Sequence, residues 1–231
     1  MTIEGHIFLA GASRGVGREI AKCLTAQNQK VKALLRSEET RPELEAMGIT
    51  VVMGDALDAA AVEQAMQNDE PIYAVISTIG GLPKEGERAD YLGNKYLIDA
   101  AVKAGVQKFI LISSIGAGES EVALPPQAKE TLGPVLVEKE QAEQHLIDSR
   151  LTYTVIRPGG LKSEPATGNG VVTEDYRVAG TIHRADVAQL ACLCLASDAA
   201  NNKILSAVDR EMTYGQSGFE ELKLSGSISP L

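Results

Sequence analysis

Ile7-Phe8-Leu9-Ala10-Gly11-Ala12-Ser13-Arg14-Gly15-Val16-Gly17 runs from an apolar segment through a glycine-rich turn into a helical pattern. The order strand, glycine turn, helix places backbone N–H groups and the positive end of a helix dipole where a nucleotide diphosphate can meet them. Each glycine has a steric reason. Gly11 permits the sharp exit from the strand, Gly15 lets backbone approach phosphate without a Cβ, and Gly17 lets the helix pack close to the sheet. Ser13, Arg14 and Val16 complete the turn and count with the glycines as cofactor-binding positions. A bare strand-to-helix turn also favours glycine, so it is the flanking elements that carry the nucleotide reading.

The spacing Gly-x-x-x-Gly-x-Gly is not the ordinary dinucleotide fingerprint, Gly-x-Gly-x-x-Gly, and it resembles that of the short-chain dehydrogenase/reductase superfamily. The second apolar run, Val31 to Leu35, ends at Arg36, where an NAD-specific site would carry an acidic residue for the ribose hydroxyls. Arg36 instead offers a guanidinium that can fork onto a 2′-phosphate, and Arg14 can reach the same group from the turn. The expected cofactor is NADP(H). Glu38 and Glu39, just beyond the strand, are the counter-signal.

With 231 residues, 44% of them hydrophobic, residues 1–231 read as a single α/β domain. A formal charge of −9 and a pI near 4.9 argue against a nucleic-acid or anionic-membrane surface. No apolar run is long enough to span a bilayer and Met1 opens no export signal, so the expected location is cytoplasmic. Cys23, Cys192 and Cys194 contain no Cys-x-x-Cys pair and lie in apolar helical segments, which predicts buried thiols. His6, His145 and His183 form no ligand-spaced cluster with them, so no metal is expected.

Apolar runs at 6–10, 31–35, 50–53, 73–77, 109–112, 153–156 and 204–208 are short and nearly continuous, as parallel strands covered on both faces require. Helical stripes separate them: Val16, Ile20, Cys23 and Leu24; then Ile98, Ala101 and Val102, stopping at Gly105; then Ala142, Leu146 and Ile147. The pattern predicts a Rossmann-type doubly wound, mainly parallel sheet of about seven strands with helices on both faces and ligands at the carboxyl ends of the strands. Substrate loops are expected near 80–90, 116–134 and 160–182, the second of them mobile, with a weakly ordered tail over 224–231.

The strand ends are where chemistry is expected. Asp55, followed by Ala56, can accept from the adenine amino group; Thr78-Ile79-Gly80 can run close to the cofactor ribose; Ser113-Ser114 and Pro158-Gly159-Gly160 close two further strands. Individually, Asp55 reads equally as a helix cap and the glycine pairs as turns. Their common edge argues for function.

A Tyr-x-x-x-Lys pair is the catalytic device that the superfamily resemblance implies, with tyrosine as proton donor. Tyr91 and Lys95 have the spacing but precede the fifth strand, whereas the catalytic pair should follow it, so they read as a helix face. After that strand the best lysine is Lys139, and no tyrosine lies between Ser114 and Lys139. The catalytic candidates are therefore Ser113, Ser114 and Lys139, with Lys139 also a ribose contact. Tyr176 and His183 are candidate pocket walls only.

This departure, with Lys139 followed by Ala142-Glu143, the segment Thr152 to Leu161 and Ile182-His183-Arg184-Ala185-Asp186-Val187-Ala188, resembles the atypical short-chain dehydrogenase/reductases. That group includes NmrA-like and biliverdin-IXβ/flavin-reductase-like proteins. The resemblance covers roughly residues 6 to 210 and departs from the group's commonest glycine spacing at Arg14. It implies a Rossmann fold, an NADP(H) site and a substrate region reduced to loops. The expected function is an NADPH-dependent reductase passing hydride to a planar conjugated small-molecule acceptor: a flavin, quinone or linear tetrapyrrole. The alternative is a non-enzymatic NADP(H)-sensing regulator or assembly protein with a protein partner. A sugar-nucleotide epimerase fits less well, since the chain ends too soon for a large carboxyl-terminal substrate domain. A monomer or weak homodimer is expected.

Overall fold

The computed structural model describes residues 5–67, 70–80, 87–214 and 218–225. The chain runs β1 (His6–Ala10), α1 (Gly15–Ala26), β2 (Val31–Leu35), α2 (Arg41–Ala46), β3 (Thr50–Met53), α3 (Ala59–Met66), β4 (Ile72–Ser77), α4 (Leu92–Lys103) and β5 (Lys108–Ile112). It continues α5 (Pro126–Asp148), β6 (Tyr153–Pro158), β7 (Gly160–Lys162), β8 (Gly170–Thr173), β9 (Ala179–His183), α6 (Arg184–Ala196), β10 (Lys203–Asp209) and β11 (Thr213–Tyr214). The main sheet has the order β3-β2-β1-β4-β5-β6-β10-β8. Every neighbouring pair in it is parallel except β10 with β8.

Alternation along each strand sorts the core into two layers. Ile7 and Leu9 of β1, with Ile110 and Ile112 of β5, face α1, α2 and α6, whose Ile20, Leu44 and Val187 complete that layer. Phe8 and Ala10, with Phe109 and Leu111, face α3, α4 and α5 through Val62, Leu97 and Leu146. Burial on both faces is why these strands read as continuous apolar runs. Two buried strand lysines are exceptions, Lys32, which donates to Gln67 O at 3.3 Å, and Lys108. Lys108 is buried and donates to Cys194 O at 2.6 Å and Ser197 O at 3.1 Å, so its ammonium closes the carboxyl end of α6.

The seven expected strands are all present, and the main sheet holds eight. The addition is β8, an antiparallel edge strand pairing Val172 with Ala207 and Val171 with Val208. A separate small sheet of order β11-β9-β7 also lies within and beyond the stretch read as loop over 160–182. These strands are two to five residues long and owe their pairing to distant partners, which periodicity does not report.

Three further expectations change. The stretch 116–134 is not one mobile loop: a 3-10 turn spans Gly118–Ala123 and α5 already begins at Pro126. Proline at the first helical position is favourable, so the Pro125-Pro126 pair starts a helix instead of breaking a loop. The helix also continues through Pro134, tolerated because Gly133 before it has no Cβ to meet the proline ring. Val102, expected in the core stripe of α4, is 46% exposed, while Leu97 and Ile98 are fully buried. Of the tail, Leu224 packs against the core and Ser225 N donates to Ser197 Oγ at 3.1 Å; residues 226–231 lie outside the described residues. The same holds for 81–86 in the first expected loop.

Candidate functional site: a dinucleotide cleft at the sheet's switch point

Strand order reverses between β1 and β4, so the turns leaving these two strands part and open a crevice at their carboxyl ends. A cleft of about 530 Å³ occupies it. Gly11, Ser13, Arg14, Gly15, Val16 and Gly17 form its floor. Leu34, Leu35, Arg36, Gly54, Asp55 and Ala56 line one end, and Thr78, Ile79, Gly80, Ala89, Ile112, Ser113, Ser114, Lys139, Leu161 and Arg184 complete the rest.

The glycines are required by distance. A Cβ on Gly11, at φ +94°, would stand 2.3 Å from Thr78 Oγ1, and one on Gly17 would stand 2.1 Å from Gly11 O. No L side chain fits either place. Gly15 differs: at φ +57° its missing Cβ opens toward the cleft, with Arg184 Nε at 3.7 Å as the nearest neighbour. That is the space a phosphate needs in front of an amino-terminal helical turn. Two side chains lock the turn from behind. Arg18 donates from Nε to Ala12 O and from Nη2 to Ser13 O, each at 3.1 Å, while Thr78 Oγ1 donates to Ala10 O and Gly11 O at 3.2 Å. With those carbonyls engaged behind it, the turn is held for an anion.

Arg14 and Arg36 are exposed on the cleft, and neither forms an ion pair with a carboxylate of the described residues. Asp55 lines the cleft but also accepts from Leu57 N at 3.0 Å, so its carboxylate holds its own turn; the neighbouring Asp58 caps α3 through Ala60 N and Ala61 N.

At the other end Lys139 is directed by a residue that the sequence did not signal. Its Nζ lies 3.1 Å from Oδ1 of Asp90, a fully buried carboxylate. Asp90 stands beside Gly80, where a Cβ would be 2.3 Å from Asp90 Oδ1 and 3.2 Å from Lys139 Nζ. Arg88 and Glu138, at 2.9 Å, make a second ion pair between the same two segments. Buried Asn94 supports Asp90 from below, donating to its backbone carbonyl at 2.8 Å and accepting from Ser77 Oγ at 2.6 Å.

The two serines differ. Ser113 Oγ donates to buried Glu143, whose carboxylate is also held by Arg157 through Nε at 3.1 Å and Nη2 at 2.6 Å. A buried carboxylate needs such a fork to offset its desolvation. Ser114 Oγ donates only to the adjacent Ile115 O at 2.9 Å, which leaves its hydroxyl free to reorient toward a ligand.

Pro158, Gly159 and Gly160 are not among the cleft-lining residues. Gly159 serves packing, since a Cβ there would stand 2.3 Å from Gly180 O where β6 passes into β7. His183 is buried, with Nδ1 2.5 Å from Pro165 O, and Tyr176 lies outside the cleft. Tyr91 packs at the edge of the core beside α3 to α5, and Lys95 pairs with Asp99 at 2.6 Å, which is bound in turn by His145 at 2.7 Å. Tyr91 precedes the first residue of α4 and Lys95 lies within it, and neither lines the cleft. The three cysteines are free and buried, and burial pushes the Cys194 thiol up to about 12.

The fold and this cleft define a Rossmann-type nicotinamide-dinucleotide-binding protein. A family model described as NAD(P)H-binding matches residues 11–198, and the chain belongs to that family. An uncharacterized chloroplastic protein of Arabidopsis thaliana is 34% identical over 220 residues, covering 88% of this chain and 76% of that protein. Sanguinarine reductase of Eschscholzia californica is 28% identical over 85% of this chain and 86% of its own. Among solved structures, the anaerobilin reductase ChuY of Escherichia coli O157:H7 superposes with a TM-score of 0.82 at 33% identity, covering 91% of this chain and all of that one. The resemblance to atypical short-chain dehydrogenase/reductases is thereby borne out.

Proposed function

We propose that this protein is an NADPH-dependent reductase that passes hydride to a planar conjugated acceptor of the flavin, quinone or linear tetrapyrrole kind. The observation that carries the reading is the chemistry of the cleft wall. Among the described residues lining it there is no tyrosine, histidine or cysteine, and its single carboxylate, Asp55, belongs to the end beside Arg36. An isolated ketone needs a proton delivered as hydride arrives, whereas a conjugated acceptor spreads the charge and takes its proton from water. Two relatives named as reductases, of sanguinarine and of anaerobilin, support the oxidoreductase class.

Bound NADPH would supply the hydride. The chain's own residues bind and orient. The turn from Gly11 to Gly17 cradles the diphosphate, and Arg36 with Arg14 selects the 2′-phosphate. Lys139, held by Asp90, directs its remaining N–H donors at the nicotinamide ribose. Ser114 offers a hydroxyl to the acceptor or the carboxamide. Leu161, Ile112 and Ile79 give the acceptor an apolar wall. Fixing donor and acceptor face to face contributes several kcal/mol in favourable cases.

The test is turnover. Purified protein is mixed with NADPH and a panel of flavins, quinones and biliverdins, and the reduced-nicotinamide absorbance is followed. Oxidation of NADPH is expected with at least one acceptor. Lys139→Ala should act chiefly through NADPH binding, and Ser114→Ala should cost about 1 kcal/mol in transition-state stabilisation, the scale of one neutral hydrogen bond. A steep pH profile abolished by a single substitution would reveal a dedicated proton donor and refute the solvent route. Tight NADPH binding without turnover of any acceptor would assign the protein instead to cofactor-sensing regulators.

A further inference from the structure

Arg184 lies where the cofactor site and the acceptor wall meet, and it belongs to both. It is the first residue of α6 and lines the cleft opposite Gly15, its Nε 3.7 Å from the position a Gly15 Cβ would take. Its Nη1 donates to Ser163 Oγ at 2.7 Å and approaches Leu161 O at 3.4 Å. No carboxylate of the described residues pairs with it. The guanidinium thus faces the glycine turn while gripping the segment that follows β7.

The residues flanking Arg184 grip the same segment. His183 Nδ1 meets Pro165 O at 2.5 Å. Asp186, 1% exposed, accepts from Thr167 N and Gly168 N, each at 2.9 Å. Four consecutive positions, 183 to 186, therefore carry three side chains that hold residues 161–168 to the start of α6. His183 and Asp186 face inward and make their bonds without any ligand. Arg184 alone also faces the cleft, with donors to spare, since a guanidinium carries five N–H groups in a fixed fork.

We propose that Arg184 is a ligand of the cofactor diphosphate and that, through Ser163, it couples arrival of that diphosphate to the ordering of the 161–168 wall. A dinucleotide diphosphate seated on the turn at Gly15 comes within reach of the guanidinium and neutralises it. The fork is then fixed between phosphate and Ser163, and the wall carrying Leu161 is drawn against the cleft. The acceptor surface is completed after the cofactor binds, which favours cofactor first and acceptor second. The diphosphate is common to NADP(H) and NAD(H), so the proposal rests on the nicotinamide cofactor and not on the identity of the acceptor.

The test combines calorimetry with amide hydrogen exchange. Arg184→Ala is expected to weaken NADPH and NADH alike by about ten- to hundredfold, the range for a lost charge-assisted contact. In the unaltered chain ADP-ribose, which carries the diphosphate, should slow exchange over 163–168; adenosine 2′-monophosphate, which lacks it, should not. Arg184→Ala should abolish that protection. Ser163→Ala should retain dinucleotide affinity within a few-fold and still lose the protection, a split that a merely structural arginine would not produce. Wild-type affinity for both dinucleotides in Arg184→Ala overturns the proposal and leaves the cofactor assignment standing. Protection that persists in Arg184→Ala, or that adenosine 2′-monophosphate produces, overturns the coupling.

Discussion

Replacing Gly17 by alanine tests whether the cofactor turn is fixed by backbone contact. The new Cβ would stand 2.1 Å from Gly11 O, 2.6 Å from Thr78 Oγ1 and 2.7 Å from Gly11 C. The first distance falls more than about 1 Å short of van der Waals contact, and two of the three neighbours are backbone atoms that no rotamer change can move. Overpacking of this kind costs about 3 kcal/mol, while alanine returns about 1 kcal/mol in helix propensity, leaving about 2 kcal/mol of net destabilisation. For a chain of this size that lowers Tm by about 4–8 °C, read by circular dichroism. The same displacement shifts the turn between Gly11 and Gly15, so calorimetric NADPH affinity should fall by at least about tenfold, the equivalent of one or two hydrogen bonds. Adding Thr78→Ala should not rescue either property, because the worst overlap is with a carbonyl of the main chain. Unchanged Tm and unchanged affinity in Gly17→Ala would refute the packing argument, and rescue by Thr78→Ala would move the conflict to the side chain.

Arg36→Ala should weaken NADPH by about 1.5–3 kcal/mol and hardly affect NADH, since Arg36 gives up no internal partner; equal losses measured by calorimetry would refute the 2′-phosphate assignment. Tyr91→Phe should leave NADPH affinity and any reductase rate nearly unchanged, and a rate loss of about a hundredfold would place the active site at the Tyr91-Lys95 pair after all. Glu143→Gln, which leaves Arg157 charged and buried without its counter-ion, should destabilise the fold by about 3–5 kcal/mol in denaturant titration; a loss below about 1 kcal/mol would show that the pair is solvated. Cys23, Cys192 and Cys194 should resist a thiol reagent at mild alkaline pH until the protein is unfolded, because all three are buried and Cys194 is pushed up to about 12. Rapid native labelling at any of the three would contradict that burial.

The sequence by itself determined whatever depends on local order. Seven strands, the glycine turn and the carboxyl-edge positions of Arg36, Asp55, Thr78 and Ser114 all follow from periodicity and spacing, since a doubly wound sheet buried on both faces writes each strand as a continuous apolar run. Chain order alone sets Tyr91 and Lys95 before the fifth strand, and neither lines the cleft. What only the tertiary structure decided depends on partners far apart in the chain. Asp90 becomes the holder of Lys139 because two segments 49 residues apart meet beside Gly80, and an isolated aspartate before a helix gives no sign of it. Ser113 lines the cleft but gives its hydroxyl to Glu143, a carboxylate that Arg157 also holds, and strand β8 exists because β10 offers it an edge. The motif from Ile182 to Ala188 was legible as a motif, but its work was not. Only the packing of α6 against the segment after β7 shows His183 and Asp186 holding the wall while Arg184 faces the cleft. Periodicity reports which face a residue occupies, and a hydrogen bond between distant segments leaves no period to read.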